Sequence, residues 1–188
     1  RTMKRKLILA SASPRRKELL SLLGYEFECI PATKEEEIDL SLPLTKAIEK
    51  VAKAKAQDVY DSHTDFLVLG SDTIVTIDGM ILGKPKNDED AFRMLRLLSG
   101  KTHEVITGLA FISQEETFIT HEVTKVKFMA LSDEEINNYL LTKEPNDKAG
   151  AYALQGKGGA FIEKIDGDVY TVIGLPLNKV YTYLSNLK

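Results

Sequence analysis

The sequence predicts a mixed α/β fold, and three observations lead to that prediction. Short, continuously apolar runs such as residues 66–69 are typical of strands buried on both faces of a sheet. Residues 44–60 instead repeat apolar side chains at helical spacing. Asp78-Gly79 and two long strand-like segments, residues 105–112 and 118–128, indicate antiparallel hairpins as well. The chain therefore does not alternate strictly between strand and helix.

The first elements are defined by local signals. Residues 6–10 are predicted to form a short buried strand, and residues 27–30 a second one. Between them, Ser13 followed by Pro14 is typical of a helix start, because serine caps free N–H groups and proline fits the first helical position. Gly24 is expected to end this helix.

Later elements follow the same logic. A helix is predicted from Asn87 to Leu98, and Ser132 with Glu135 forms a capping box that opens another helix. A glycine-rich loop over residues 150–159 is followed by a predicted hairpin at Asp166-Gly167. Residues 176–187 are predicted to close the chain as a helix.

Composition and charge exclude several classes of protein. The 188 residues are 43% hydrophobic and 28% charged, which is ordinary for one globular domain, expected over residues 3–188. We interpret Arg1-Thr2 as a remnant of cloning. The net charge of −3 argues against nucleic-acid binding, and no apolar run approaches the ~20 residues that span a bilayer. A single cysteine, Cys29, suits the reducing cytoplasm, where we expect the protein.

The turn before the first helix is a candidate phosphate site. Ser11 and Ser13 lie between a strand and a helix N-terminus, where unpaired N–H groups and the helix dipole attract anions. Arg15 and Arg16 oppose that dipole unless a negative group binds there. The alternative is an ordinary capped helix with solvated arginines.

Asp72 is the candidate catalytic carboxylate. It lies in Gly70-Ser71-Asp72-Thr73, inside an otherwise apolar strand pattern, where an unpaired charge costs several kcal/mol. A metal, a lysine or a catalytic role would offset that cost. The strand could instead end there, with Asp72 in a solvated turn.

Lys55 is the candidate partner on the long helix. On a helical wheel it falls within about 20° of the centre of the apolar stripe, whereas Lys53 lies on the opposite face. A lysine in such a stripe needs an anionic partner or must extend its ammonium group to solvent.

Three further segments could contact a nucleotide. Lys84 follows Gly83 in a tight turn and could face a phosphate, although surface lysines are common in loops. Gln155 precedes Gly156 in a loop that could approach a base or could simply be flexible. The run Glu35 to Glu37 could supply a metal ligand or a solvated acidic surface. The three histidines are isolated, so zinc is not expected.

These residues belong to a longer set of ordered motifs. The motifs are Ala10-Ser11-x-Ser13-Pro14-Arg15-Arg16, Ala52-x-x-Lys55-Ala56, Gly70-Ser71-Asp72-Thr73, Lys84-Pro85, Leu97-Leu98-Ser99-Gly100-Lys101-Thr102-His103, Glu144-Pro145-x-Asp147-Lys148-Ala149-Gly150-Ala151-Tyr152, Gln155-Gly156 and Gly174-Leu175-Pro176-Leu177. In this order, from about Leu7 to Leu184, they resemble the Maf family of nucleoside triphosphate pyrophosphatases.

The resemblance implies a fold, an activity and roles for site residues. It implies a long mixed β-sheet flanked by helices, similar to inosine triphosphate pyrophosphatases, in two lobes with a central cleft. It implies hydrolysis between the α and β phosphorus, with Asp72 as the catalytic acidic residue. Arg15, Thr73 and Gln155 match the subgroup acting on dTTP and UTP. Glu36 is our choice for the family's second acidic position.

The resulting hypothesis assigns a role in substrate or metal binding to each of these residues. Arg16, Lys55 and Lys84, with Arg15 and the Ser11 and Ser13 turn, would bind the phosphates of a nucleoside triphosphate. Mg²⁺ or Mn²⁺ would bind at Asp72 and Glu36, and Thr73 and Gln155 would read the pyrimidine. A homodimer is the default expectation for assembly. The expected role is removal of modified nucleotides or arrest of cell division.

Two alternatives remain at this point. One is a nucleotide-binding regulator of cell division and septum formation without significant turnover, a role with which the family has also been linked. The other is a phosphatase that releases orthophosphate one group at a time. The joint presence of Asp72, Lys55 and Lys84 favours the pyrophosphatase.

Overall fold

The structure, a computed structural model, describes residues 5–187. The strands in this range are Leu7–Leu9 (β1), Phe27–Cys29 (β2), Leu67–Ile77 (β3), Met80–Leu82 (β4), Thr102–Ile112 (β5), Thr117–Phe128 (β6) and Ile162–Asp166 (β7). The α-helices are Pro14–Ser21 (α1), Leu44–Tyr60 (α2), Asp88–Leu98 (α3), Asp133–Leu141 (α4), Val169–Ile173 (α5) and Leu177–Ser185 (α6). Short 3₁₀ helices cover Glu144–Asp147, Ala149–Ala151 and Lys157–Phe161.

The strands form a seven-stranded sheet flanked by helices. Its order is β2-β1-β3-β5-β6-β7, and β4 pairs with β3 beside that row. β1 runs parallel to both β2 and β3, whereas β4 is antiparallel to β3 and β7 is antiparallel to β6. This combination of parallel and antiparallel pairs confirms the predicted mixed α/β class.

The described chain folds as two compact units. The first unit contains the described residues up to Asp72, then Thr107–Glu122 and the described residues from Gly174 onward; the second contains Thr73–Ile106 and Val123–Ile173. Each passage from one unit to the other before residue 174 falls within a strand, namely β3, β5 or β6. The single domain over residues 3–188 and the central cleft stay predictions. Residues 1–4, with the interpreted remnant Arg1-Thr2, and residue 188 lie outside the described residues.

In the first unit, α2 packs closely on the sheet through two glycines. A Cβ at Gly70 in β3 would lie 2.8 Å from the backbone nitrogen of Ala56, and one at Gly108 in β5 would lie 2.7 Å from the carbonyl oxygen of Ile48. Real Cβ atoms do not come this close to backbone atoms. The absence of side chains at both positions therefore sets the distance between helix and sheet.

The second unit has its own apolar core. Helices α3 and α4 contribute Leu95, Leu98 and Ile136, which are fully buried. Val126 and Phe128 of β6 are fully buried in the same cluster. At ~25 cal/mol per Å² of apolar surface, burying each such side chain stabilises the fold by about 1.5–3 kcal/mol.

Most local signals predicted from the sequence are confirmed. Ser13 caps α1, with its side chain accepting from the backbone N–H of Arg16. Ser132 and Glu135 form the capping box of α4. Asp78 and Gly79 both have positive φ, at 51° and 76°, as a tight hairpin turn between β3 and β4 requires.

The hairpin predicted at Asp166-Gly167 is wrong. β7 ends at Asp166 and pairs back onto β6, and Gly167, with φ of 125°, leads into the short helix α5. Asp168 fixes the helix start, because its Oδ2 accepts from the backbone N–H of Thr171 at 2.8 Å and from that residue's hydroxyl at 2.6 Å. Gly167 is thus followed by the helix cap Asp168 and by α5, and not by a second strand of a hairpin.

None of the helices within residues 5–187 combines the length and the apolar composition needed to cross a membrane.

Candidate functional site

A lysine–aspartate pair lies where α2 packs on β3. The Nζ atom of Lys55 donates to Oδ1 of Asp72 at 2.7 Å, and the two side chains are only 26% and 22% exposed. Lys53 on the same helix is exposed, as the helical wheel predicted. Of the two possibilities for Lys55, an anionic partner or extension into solvent, the structure shows the partner.

The close packing at Gly70 explains how these two side chains meet. Strand alternation puts Gly70 and Asp72 on the same face of β3. Gly70 fits against Ala52 and Ala56, which are one turn apart on α2. Lys55 lies between them in the sequence, so its side chain reaches Asp72 two residues further along the strand. β3 continues through Asp72 to Ile77, which excludes the alternative of a strand that ends in a solvated turn.

The carbonyl oxygen of Gly174 joins a second set of contacts beside this pair. It accepts from Nε of Arg16 at 2.7 Å and from the hydroxyl of Ser71 at 3.2 Å. Ser71 is fully buried, and Gly174 has a φ of 130°, a conformation that glycine adopts most readily. The sequence analysis did not include Ser71 or Gly174 among the candidate site residues. A signal was available for each of them: strand alternation puts Ser71 on the face of β3 opposite Asp72, and Gly174 begins the Gly-Leu-Pro-Leu motif.

Arg16 contributes charge to the same cluster. Desolvation lowers the pKa of its guanidinium, the nearby Asp72 carboxylate raises it, and the neighbouring Arg15 lowers it. An arginine stays protonated in such surroundings. Asp72 therefore lies in the field of two cations, Lys55 and Arg16, and this part of the first unit suits an anionic ligand.

The serine turn is ordered around the start of α1. The hydroxyl oxygen of Ser11 accepts from the backbone N–H of Ser13 at 3.1 Å, and that of Ser13 accepts from the N–H of Arg16 at 3.3 Å. Ser11 is 9% exposed, and Arg15 is half-buried. Hydrogen bonds and charge thus connect Ser11, Ser13, Arg16, Asp72 and Lys55 in one continuous cluster, which we call the cationic cluster. Phosphate binding by it stays a prediction.

The remaining predicted residues have different surroundings. Thr73 is half-buried on β3, and Lys84 and Gln155 are exposed; all three belong to the second unit. The turn that carries Lys84 is held by a hydrogen bond of 3.1 Å from the N–H of Gly150 to the carbonyl of Gly83. Glu36 is exposed in the segment between β2 and α2.

The acidic residues match only one kind of metal site. Over residues 5–187, no three His, Cys, Asp or Glu side chains form a group that could hold a metal ion. Mg²⁺, however, commonly binds one or two carboxylates together with substrate phosphates rather than an all-protein cage. The partly exposed carboxylate of Asp72 fits an ion that arrives with a triphosphate.

Comparison with known proteins gives matches along nearly the whole chain. A family model described as "Maf-like protein" matches residues 6–187. The fold is also similar to that of the Staphylococcus aureus Ham1 protein, with a TM-score of 0.57 over 98% of this chain and 100% of that one. The two sequences are only 10% identical, so this likeness concerns the fold alone and confirms the predicted fold class.

Curated relatives are much closer in sequence. A protein of Aquifex aeolicus (strain VF5) named dTTP/UTP pyrophosphatase is 50% identical over 182 residues, which cover 97% of this chain and 95% of that protein. A protein of Bacillus mycoides (strain KBAB4) with the same name is 51% identical over 176 residues, or 94% and 92% of the two chains.

Proposed function

The chain belongs to the Maf-like protein family, and from this premise we propose that it hydrolyses dTTP and UTP to the nucleoside monophosphate and pyrophosphate. Relatives about half identical to it over nearly their whole length carry the name dTTP/UTP pyrophosphatase. The observation that carries the proposal is the pair of Lys55 and Asp72 beside Arg16. It combines a carboxylate that can act on water with cations that can bind phosphates.

Asp72 acts on the attacking water in this proposal. Its carboxylate orients the water and accepts its proton as the water oxygen bonds to the α-phosphorus. The bond between the α-phosphorus and the bridging oxygen breaks, and pyrophosphate leaves with that oxygen. Position and charge account for most of the catalysis, as in other phosphoryl-transfer sites.

The cations neutralise the triphosphate. Lys55 is bonded to Asp72 through a flexible side chain, so it can turn from the carboxylate towards a phosphate oxygen when a nucleotide binds. Arg15, Arg16 and Lys84, with the hydroxyls of Ser11 and Ser13, would bind the remaining phosphate oxygens. The N-terminus of α1 adds partial positive charge at the serine turn.

A divalent cation completes the proposal. Asp72 would hold Mg²⁺ or Mn²⁺ together with the substrate phosphates, and Glu36 is our candidate for a second carboxylate. When bound, the ion supplies charge neutralisation at the phosphates and polarises the α-phosphorus.

Two polar side chains are our candidates for recognition of the base. Thr73 and Gln155 would donate and accept hydrogen bonds at the pyrimidine edge, with Arg15 as a further specificity residue. Modified pyrimidine triphosphates are candidate substrates of the same site, which would make the protein a house-cleaning enzyme. We place it in the cytoplasm, because Cys29 is a free thiol suited to a reducing compartment. A homodimer stays a prediction.

Product analysis tests the proposal directly. Purified protein with Mg²⁺ or Mn²⁺ is incubated separately with dTTP, UTP, CTP, GTP and ATP, and the products are separated by anion-exchange chromatography. Monophosphate and pyrophosphate, formed fastest from dTTP and UTP, are expected. Orthophosphate as the first product would indicate a phosphatase. Binding of a nucleotide with neither product would indicate a regulator without turnover.

A further inference from the structure

Glu144 accepts hydrogen bonds from the backbone on the far side of Gln155. Its Oε1 accepts from the N–H of Lys157, and its Oε2 accepts from the N–H of Gly158, both at 3.0 Å. The hydroxyl of Tyr139 also donates to Oε2. One carboxylate therefore binds two successive backbone N–H groups of the loop and one buried phenol.

Tyr139 holds the near side of the same loop. Its hydroxyl oxygen accepts from the backbone N–H of Ala153 at 3.3 Å, and its side chain is 3% exposed at the end of α4. Tyr139 and Glu144 thus contact the chain both before and after Gln155. We call these two residues the loop brace.

Two glycines of the loop fit against the brace. A Cβ at Gly156 would overlap the Glu144 carboxylate, and a Cβ at Gly158 would lie 2.6 Å from the Tyr139 hydroxyl. Gly156 has a negative φ of −112°, so its backbone does not need glycine for conformational reasons. The glycine after Gln155 is explained by the space that the brace occupies.

The brace carboxylate is kept ionised. Burial raises the pKa of Glu144, but the Tyr139 hydroxyl and the N–H groups of Gly158 and Lys157 outweigh it, and the pKa lies below its usual value. Burial and the neighbouring carboxylate raise the pKa of Tyr139, so the phenol stays a donor. An ionised acceptor with three donors is stronger than neutral hydrogen bonds of the same number.

We infer that Glu144, with Tyr139, is a positioning residue that fixes the Gln155 loop and so sharpens selection of the pyrimidine base. This inference rests on the proposed reading of the base by Gln155. A hydrogen-bonding side chain discriminates between bases only as well as its position is defined. Gln155 itself is exposed, so its position is fixed by contacts to the backbone on either side of it.

The experiment compares UTP with CTP, which differ only at the base edge. Glu144→Gln and Tyr139→Phe are each expected to lower kcat/KM for UTP about tenfold and to leave kcat/KM for CTP within about twofold. The reason is that a displaced Gln155 weakens a hydrogen bond to the preferred base, so the preferred nucleotide loses most. Gln155→Ala serves as the reference for a lost base contact. Glu163→Gln and Tyr181→Phe, at exposed positions in β7 and α6, are the matched controls and should leave the ratio unchanged.

A double variant separates positioning from general folding. If Glu144 acts through Gln155, adding Glu144→Gln to Gln155→Ala should change the UTP:CTP ratio by less than about twofold, since coupled residues are not additive. Hydrogen–deuterium exchange of residues 153–159 should also become faster in both brace variants.

Each other outcome is decisive. If Gln155→Ala collapses the ratio while both brace variants keep it, the inference is wrong and the proposed function stands. If the brace variants lower UTP and CTP hydrolysis equally, Glu144 only supports folding and the inference is again wrong. If Gln155→Ala leaves the ratio unchanged, the proposed reading of the base by Gln155 is wrong and the inference falls with it, while the hydrolysis itself still stands. If the wild type hydrolyses no triphosphate, the proposed function fails.

Discussion

Asp72 in the first unit and Glu144 in the second are both partly buried carboxylates that accept hydrogen bonds, but their partners differ in kind. Asp72 accepts from Lys55, the end of a long flexible side chain, at 2.7 Å. Glu144 accepts from two backbone N–H groups and the hydroxyl of buried Tyr139. One set of partners can move away without unfolding anything, and the other cannot.

This difference separates a carboxylate that can take part in a reaction from one that holds a structure. In the proposed function a nucleotide would displace Lys55 from Asp72, because the lysine would regain a partner in a phosphate oxygen. Displacing Glu144 would leave the N–H groups of Lys157 and Gly158 without their acceptor, at a cost of about 1–3 kcal/mol for each one buried. The nature of the donors, more than burial, indicates the role of each carboxylate.

The largest expected effect tests Asp72, the member of this comparison for which we propose a role in the reaction. Asp72→Asn should lower turnover of every nucleotide by at least ~100-fold, the scale of a positioned base, whereas the same chemical change at Glu144 should alter selectivity. Pyrophosphate release from dTTP, UTP and CTP measures both the turnover and the selectivity. Asp78→Asn, in the exposed hairpin turn, is the control. Near-normal turnover of Asp72→Asn would remove Asp72 from the chemistry and end the distinction.

The next largest effect concerns Lys55, the flexible hydrogen-bond partner of Asp72. Lys55→Ala should lower kcat/KM for dTTP by about 10- to 100-fold, since a hydrogen bond to a charged group contributes about 1.5–3 kcal/mol. Lys53→Ala removes the same charge from the exposed face of α2 and should change kcat/KM by less than about twofold, as isolated surface charges contribute little. Equal losses in the two variants would contradict the assignment.

The two regions also differ in how far the sequence predicts them. The bounds of α2 match the prediction, because a 17-residue amphipathic helix repeats its period often enough to define the buried face and thus the orientation of Lys55. The sequence alone did not decide whether β3 continues through Asp72, because an aspartate in an apolar pattern is compatible with the interior of a strand or with its end.

The brace could not be predicted in the same way. Glu144 binds N–H groups 13 and 14 residues further along the chain, and no periodic pattern connects a side chain to the backbone of an irregular loop. The motif containing Glu144 was visible, but its motif position alone did not indicate a partner. Helix α5 was also missed. It has five residues and is too short to show a helical period.

Packing of α2 on β3 provides the third test, on the first unit alone. Gly70→Ala should lower the free energy of unfolding by about 3 kcal/mol, the upper end for an overpacked core, because the two nearest neighbours of the new Cβ are backbone atoms of α2. It should also lower turnover by displacing Asp72 from Lys55. Chemical denaturation measures the stability, and Gly83→Ala, where a Cβ meets nothing within 4 Å, is the control. A stable and fully active Gly70→Ala would show that the close approach does not position the pair.

The smallest expected effect belongs to the second unit and depends on pH. Burial lowers the pKa of His103 from 6.5 to about 4. Its ring makes edge contacts with the rings of Phe128 and Tyr152, and Nε2 is 2.7 Å from the Tyr152 hydroxyl oxygen. The unfolded chain therefore binds a proton between pH 6.5 and pH 4 that the folded chain does not. The free energy of unfolding should fall by about 2 kcal/mol from pH 7 to pH 5 on account of this group. His103→Gln should lose that part of the pH dependence, because carboxylates contribute equally to both proteins and cancel in the difference. Parallel stability curves for the two proteins would mean that the pKa of His103 is the same in the folded and unfolded chains, and that burial in the second unit does not lower it.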